Sequence, residues 1–217
     1  MKLFRLLVVG LLSLALVPAW SIDFSHIDIH TGLLLQLDEP ADGESTGAPD
    51  PLVTPLGLGT TFAMQGNWSF DPAIYLYGLD YAFQGWDRPR PAQIEQREMY
   101  VISLVLDPSF VFTFPWRENL SWGTILSPTL NFRIPAIVAD GEEAAHADML
   151  SYFIGPGRFI FPQAGLFMDW KVSPRLSMRP ALRLYLPVFH LWDGDPLLDQ
   201  GMIFFNIAFR VALTQNP

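Results

Sequence analysis

Nine charged or imidazole side chains sit at alternating positions inside otherwise apolar or neutral segments: Asp28, His30, Asp80, Asp107, Arg133, Asp169, Arg179, Arg183 and Arg210. Groups of these types can supply an acid and a base, line a polar path, or hold one another as ion pairs. Catalysis and metal binding need tighter constellations, and the sequence offers few. The four histidines are His26, His30, His146 and His190, and no pair stands in an HExxH motif. With no cysteine, thiolate metal sites and disulfides are excluded. His26, Asp28 and His30 alternate onto one face, a weak metal pattern for which packing or hydrogen bonding is the favoured reading. His190 near Asp193, or His30 with an interior serine, can be arranged as a Ser/His/acid set. No Gly-x-Ser-x-Gly elbow accompanies them. The reading is therefore no catalytic residues, no metal and no cofactor. The nine residues become an interior polar network, because buried charges must be paired or solvated.

Composition places that network in an unusual setting. Half of the 217 residues are hydrophobic and only 16% are charged, against about a quarter in soluble proteins. Phenylalanine occurs 17 times, and the lysines are Lys2 and Lys171 alone. Lys2 and Arg5 precede an apolar run from Leu6 to Val17 and the small-residue segment Pro18-Ala19-Trp20-Ser21. This is the pattern of a cleaved signal peptide, with the cut after Ser21 or after Ala19. The run is too short for a spanning helix, which takes about 20 apolar residues. The expected organisation is residues 1–21 as signal peptide and 22–217 as one domain. That domain carries 11 basic and 22 acidic residues, a net charge of −11, which argues against a nucleic-acid partner.

The elements that must position the network are strands. Period-2 alternation recurs eight times. Ile27, Ile29, Leu33 and Leu35 oppose His26, Asp28, His30 and Leu34. Between Pro55 and Phe70, Leu56, Leu58, Phe62 and Trp68 oppose Gly57, Gly59, Ala63 and Asn67. With a turn read at Asp71-Pro72, the third strand sets Tyr75, Tyr77, Leu79 and Tyr81 against Ile74, Leu76, Gly78 and Asp80. The fourth starts near Met99 and places Val101, Ser103 and Asp107 on one side, with an end obscured by Pro108. The fifth covers about Leu120 to Ile134 and carries Arg133; the sixth, about Arg158 to Trp170, carries Asp169. The seventh runs from Leu176 towards His190 with Arg179 and Arg183, and the eighth, Met202 to Leu213, holds Arg210. Connections alternate short and long, and three of the long ones, 38–54, 135–157 and 191–201, hold 12 carboxylates. They read as solvated surface, or as a site for bridging cations or a basic ligand. Short turns at one end and long loops at the other are the outer-membrane arrangement, with both termini in the periplasm.

An eight-stranded lipocalin also alternates, so the composition of the two faces must decide. A soluble barrel would show Lys, Glu and Arg on its outer face. Here the less apolar face is Gly, Ala, Ser, Thr, Asn and Gln with scattered charges, which suits the cramped interior of an eight-stranded barrel. The large apolar face then meets lipid. Trp68, Tyr75, Trp122 and Trp170 fall near the short-turn ends, and Trp86 and Trp192 near the long-loop ends, as interfacial aromatic girdles would.

On these features the chain resembles the small outer-membrane barrels of the OmpA, OmpX and OmpW type. The resemblance is one of architecture and covers nearly the whole chain after residue 21. It implies an all-β, eight-stranded antiparallel up-and-down transmembrane barrel in the bacterial outer membrane, with lipid and the barrel-assembly machinery as partners. One departure is the tail Thr214-Gln215-Asn216-Pro217, where such barrels end on an aromatic residue. Strand 8 should close between strands 7 and 1, bringing Arg210 towards Asp28, with Arg179 and Asp169 nearby. The leading functional expectation is a non-enzymatic structural or surface-interacting protein, with an extracellular ligand for the acidic loops. The alternatives are a narrow channel or conduit for small hydrophobic solutes lined by Leu34, Ile74 and Leu76, a lipid-modifying enzyme, and a periplasmic lipocalin-like binder.

Overall fold

The computed structural model describes residues 23–37, 51–82, 89–91, 99–138, 143–194 and 196–213. The signal-peptide reading, Trp86, and most of loops 38–54 and 87–98 fall outside them. Eight strands form the wall: β1 Asp23–Gln36, β2 Leu56–Ala63, β3 Trp68–Ala82, β4 Met99–Arg117, β5, β6 Gln163–Lys171, β7 Leu176–Tyr185 and β8 Met202–Ala212. Strand β5 comes in two pieces, Leu120–Ser127 and Leu130–Val138, that continue one register against β4. Every neighbouring pair is antiparallel. The ring closes where β8 pairs with β1 from His26–Ala212 to Gln36–Met202. Closure pairs the strands on both sides over the lower barrel, which is the condition for a sheet to cross a lipid core where nothing else can satisfy an exposed backbone; above it the piece Leu130–Val138 is laddered to β4 alone and meets the segment before β6 through the Leu130–Ile160 bridge.

The hairpin β2–β3 differs from the sequence reading. Its turn is at Gln65-Gly66-Asn67, where Gly66 adopts φ +71°. That left-handed conformation is one glycine takes without the Cβ penalty. Asp71 and Pro72 lie inside β3, where Pro72 stands opposite Pro108 of β4. Pro108 in turn faces the break in β5 at Pro128, between the pairs Phe110–Leu126 and Leu106–Leu130. Three prolines thus sit side by side across three strands. Each lacks an N–H, so each thins the ladder locally without ending its strand.

The shifted turn also sets the phase of β3. Tyr75, Tyr77, Leu79 and Tyr81 point into the barrel and are buried, whereas Ile74 and Leu76 are 51% and 52% exposed on the outer wall. Tyr75 is therefore an interior residue and not an interfacial one, and Asp80 lies on the outer face, half-buried, opposite Tyr100. The interior makes room for Tyr75 through Gly57 on the neighbouring strand, where any Cβ would run into the tyrosine ring. Strands β6 and β7 are shorter than their alternation suggests. The segment before β6 holds the helix α1, Glu143–Ile154, and β7 stops at Tyr185, before the short helix α2, His190–Asp193.

Candidate functional site

The interior is built in three storeys. At the short-turn end, Arg179 from β7 and Arg210 from β8 meet three carboxylates from β1, β3 and β6. Arg210 Nε lies 3.3 Å from Asp28 Oδ1, and its Nη2 donates to Thr61 Oγ1 at 2.6 Å. Its Nη1 donates to Asp169 Oδ2, while Asp71 Oδ2 lies 3.7 Å from Nη2. Arg179 holds Asp71 at 2.7 Å and Asp169 at 2.8 Å, and its guanidinium lies 4.3 Å from the centroid of the Phe167 ring. Thr61 donates onward to Asp28 Oδ2 at 3.1 Å. Two cations and three anions from five strands therefore tie the wall together across its axis.

The middle storey centres on Asp107 of β4, which is ion-paired to Arg183 of β7. Ser109 and Thr129 also donate to this carboxylate, at 2.8 and 3.2 Å. Beside it, the Tyr75 hydroxyl and His30 Nδ1 are 3.3 Å apart, and the Asn206 amide lies 3.4 Å from the same nitrogen. Charge-assisted bonds of this kind satisfy groups that burial would otherwise penalise heavily.

The upper storey, towards the long loops, is mostly apolar. Leu34, Leu79, Tyr81, Met99, Val101 and Phe204 pack with Met149 and Phe153 of α1 and with Phe161 and Phe189. The helix lies across the mouth, anchored by His146 to the Pro135 carbonyl at 3.1 Å. Arg133 is only 2% exposed and sits beneath it, 4.4 Å from the Phe153 ring centroid and 5.3 Å from that of Phe161. Its guanidinium donates to Gln200 Oε1 at 2.6 Å and to the Arg158 carbonyl at 3.0 Å. A second clasp joins Arg158 to Asp193 of α2 at 2.9 Å.

Of the nine residues read as an interior network, Asp28, His30, Asp107, Arg133, Asp169, Arg179, Arg183 and Arg210 face inward; Asp80 does not. His26, Asp28 and His30 do not converge on a common point. His26 bonds to Ser25, Asp28 to Arg210, and His30 to Tyr75 and Asn206. Asp71 and Thr61 were missed. Gly66-Asn67 is a hairpin signal, and reading it as the turn would have moved Asp71 onto the inner face of β3. Leu34 is interior, but the inward lining assigned to Ile74 and Leu76 is overturned. Trp68, Trp122, Trp170 and the unforeseen Trp116 are exposed near the short-turn end, and Trp192 is exposed on α2 beside the mouth.

The outer wall presents Ile29, Leu58, Ile74, Leu126, Leu166, Leu182 and Phe205 to the surroundings. A continuous apolar belt of this kind around a closed barrel is a lipid-facing surface, and the fold is that of an outer-membrane β-barrel. No protein-family profile matches the chain, and no curated protein matches its sequence. Among solved structures it is similar to neisserial surface protein A, with a TM-score of 0.54 and 8% identity over 86% of this chain and 96% of that one. It also aligns with a major outer-membrane protein of Thermus thermophilus (TM-score 0.46, 8% identity, 87% of this chain and 99% of that one). Alignment with Ail of Yersinia pestis, in complex with the heparin analogue sucrose octasulfate, gives a TM-score of 0.40 at 10% identity, over 87% and 99%. The likeness to neisserial surface protein A is one of fold.

Proposed function

We propose that the chain is a non-enzymatic integral outer-membrane protein, exported by a signal peptide in residues 1–21, whose barrel serves as a sealed support for surface loops. The observation that carries this reading is the ion-pair lattice spanning the interior from β1, β3 and β6 to β7 and β8. Eight-stranded barrels have interiors that side chains can fill, and here those side chains are locked by charge. The acidic long loops, with α1 and α2 above the mouth, are then the parts available to an extracellular ligand, and short turns on the opposite side fit a periplasmic end. Reconstitution into planar bilayers tests the reading. It expects no ion conductance from protein that shows a mobility shift on boiling in SDS gels, and steady single-channel steps would overturn it.

A second reading has one observation in its favour. In the upper storey Leu34, Leu79, Met99, Val101 and Phe204 are packed beneath Met149 and Phe153 of α1, apolar surface that a small hydrophobic solute would meet once the helix is displaced. Uptake of such a solute by vesicles carrying the barrel would favour this reading over the sealed support.

A further inference from the structure

Three of the buried arginines have carboxylate partners. Arg179 and Arg210 share Asp71 and Asp169, and Arg183 has Asp107. Arg133 is the exception among the described residues. Its hydrogen bonds go to two neutral oxygens, the Gln200 amide and the Arg158 carbonyl, and its buried Nε has no partner. Ser103, fully buried directly across the ladder from it, adds a hydroxyl on the same inward face. A buried cation with no counter-charge is costly, and an anion that reaches it relieves that cost.

Gln200 holds the place that such an anion would take. Among the described residues it is the one residue other than glycine with a positive φ, +59°, a conformation that persists only where its surroundings hold it. Its buried amide accepts from Arg133 through Oε1 and donates through Nε2 to the Tyr152 hydroxyl of α1 at 3.1 Å. Arg133, Gln200 and Tyr152 therefore join the wall, the segment before β8 and the helix in one latch. An anion that takes the acceptor position of Gln200 Oε1 also loosens the tie to α1. The helix can yield without unzipping a paired strand, because the piece Leu130–Val138 beside it is laddered to β4 alone. We propose that Arg133 is the headgroup site for an aliphatic monocarboxylate, such as an ionised fatty acid. The carboxylate accepts from the guanidinium, and the chain takes the space that Met149 and Phe153 fill against Leu34, Leu79 and Phe204. These apolar and aromatic surroundings suit an aliphatic chain and penalise a hydrated inorganic ion. The site lies above the Asp107 storey, so the barrel stays closed to ions. The proposal rests on the second reading above and gives its solute a chemical class.

Native mass spectrometry of the refolded chain in an uncharged detergent at pH 8 tests this, with dodecanoate and its neutral counterpart dodecanol as probes. One dodecanoate should be retained per barrel, about ten-fold in preference to dodecanol, the worth of a hydrogen bond to a charged group. Arg133→Met should abolish the preference. Gln200→Glu, which gives Arg133 a carboxylate from the chain itself, should abolish it too, and this variant decides the matter if Arg133→Met does not fold. The boiling-induced gel shift, read on the same samples, reports which variants are folded. Equal retention of the two probes by the wild type overturns the carboxylate site and leaves the hydrophobic-solute reading standing. Retention of neither refutes that reading as well. A preference for dodecanoate that survives in folded Gln200→Glu places the acid elsewhere on the barrel and also overturns the proposal.

Discussion

Replacing Arg210 with methionine removes the cation that Asp28, Asp169 and Thr61 share. Asp28 is 2% exposed and loses its charged partner, while Arg179 is left to balance Asp71 and Asp169 alone. Removing one partner of a buried ion pair costs about 3–5 kcal/mol, most of it the penalty of the stranded charge. Arg210→Met should therefore lower unfolding stability by that amount, read as the shift of the urea midpoint with the slope unchanged. Replacing both partners by apolar groups removes the stranded charge, so Arg210→Met/Asp28→Leu should recover at least half of the loss. The assay is equilibrium folding into vesicles, with folded protein quantified by its gel mobility before boiling. A single variant costing less than about 1 kcal/mol would refute the argument, since surface-like pairs are worth that little. So would a double variant as unstable as the single one.

Gly57→Ala forces a methyl group into the Tyr75 ring and should cost about 1–3 kcal/mol, an overpacking penalty; the same change made in a Tyr75→Leu background should cost less, a coupling measured by a double-mutant cycle. Leu166→Arg puts a charge on the lipid-facing wall near the middle of β6 and should cost about 2–4 kcal/mol in vesicles, whereas a water-facing position would tolerate it within about 0.5 kcal/mol. Phe153→Ala removes the ring between Arg133 and Tyr81. It should raise amide exchange across α1 while the strand amides stay protected, so equal loosening of the wall would contradict a separable cap.

The wall was legible in the sequence because alternation is a local signal that burial on one face enforces. In β4, β5, β7 and β8 the inward and outward sets follow directly from it, and Arg210 meets Asp28 because closure fixes which strands are neighbours. Two kinds of information were not local. The hairpin turn was read at Asp71-Pro72, although proline can stand inside a strand when its missing N–H falls where the ladder is already thin, as Pro72, Pro108 and Pro128 do. And the interior was expected to hold small residues, whereas Tyr75, Tyr77 and Tyr81 enter it. Each carries a hydroxyl that finds a partner, in His30, Met202 and Gln36, and Gly57 yields room to the first. A tyrosine on a strand therefore does not declare its face, because its ring suits lipid and its hydroxyl suits a polar core. The cap was also hidden: α1 buries Met149 and Phe153 against residues more than forty positions upstream.

The central claim is a closed wall with lipid outside and a locked polar interior. The chain has no cysteine, so single cysteines can be placed from Ala164 to Trp170 of β6 and labelled with nitroxide in reconstituted vesicles. Collision with oxygen, which dissolves in lipid, should peak at positions 164, 166, 168 and 170, with positions 165, 167 and 169 shielded from it. Oxygen access without a period of two, or highest at the odd positions, would contradict the account.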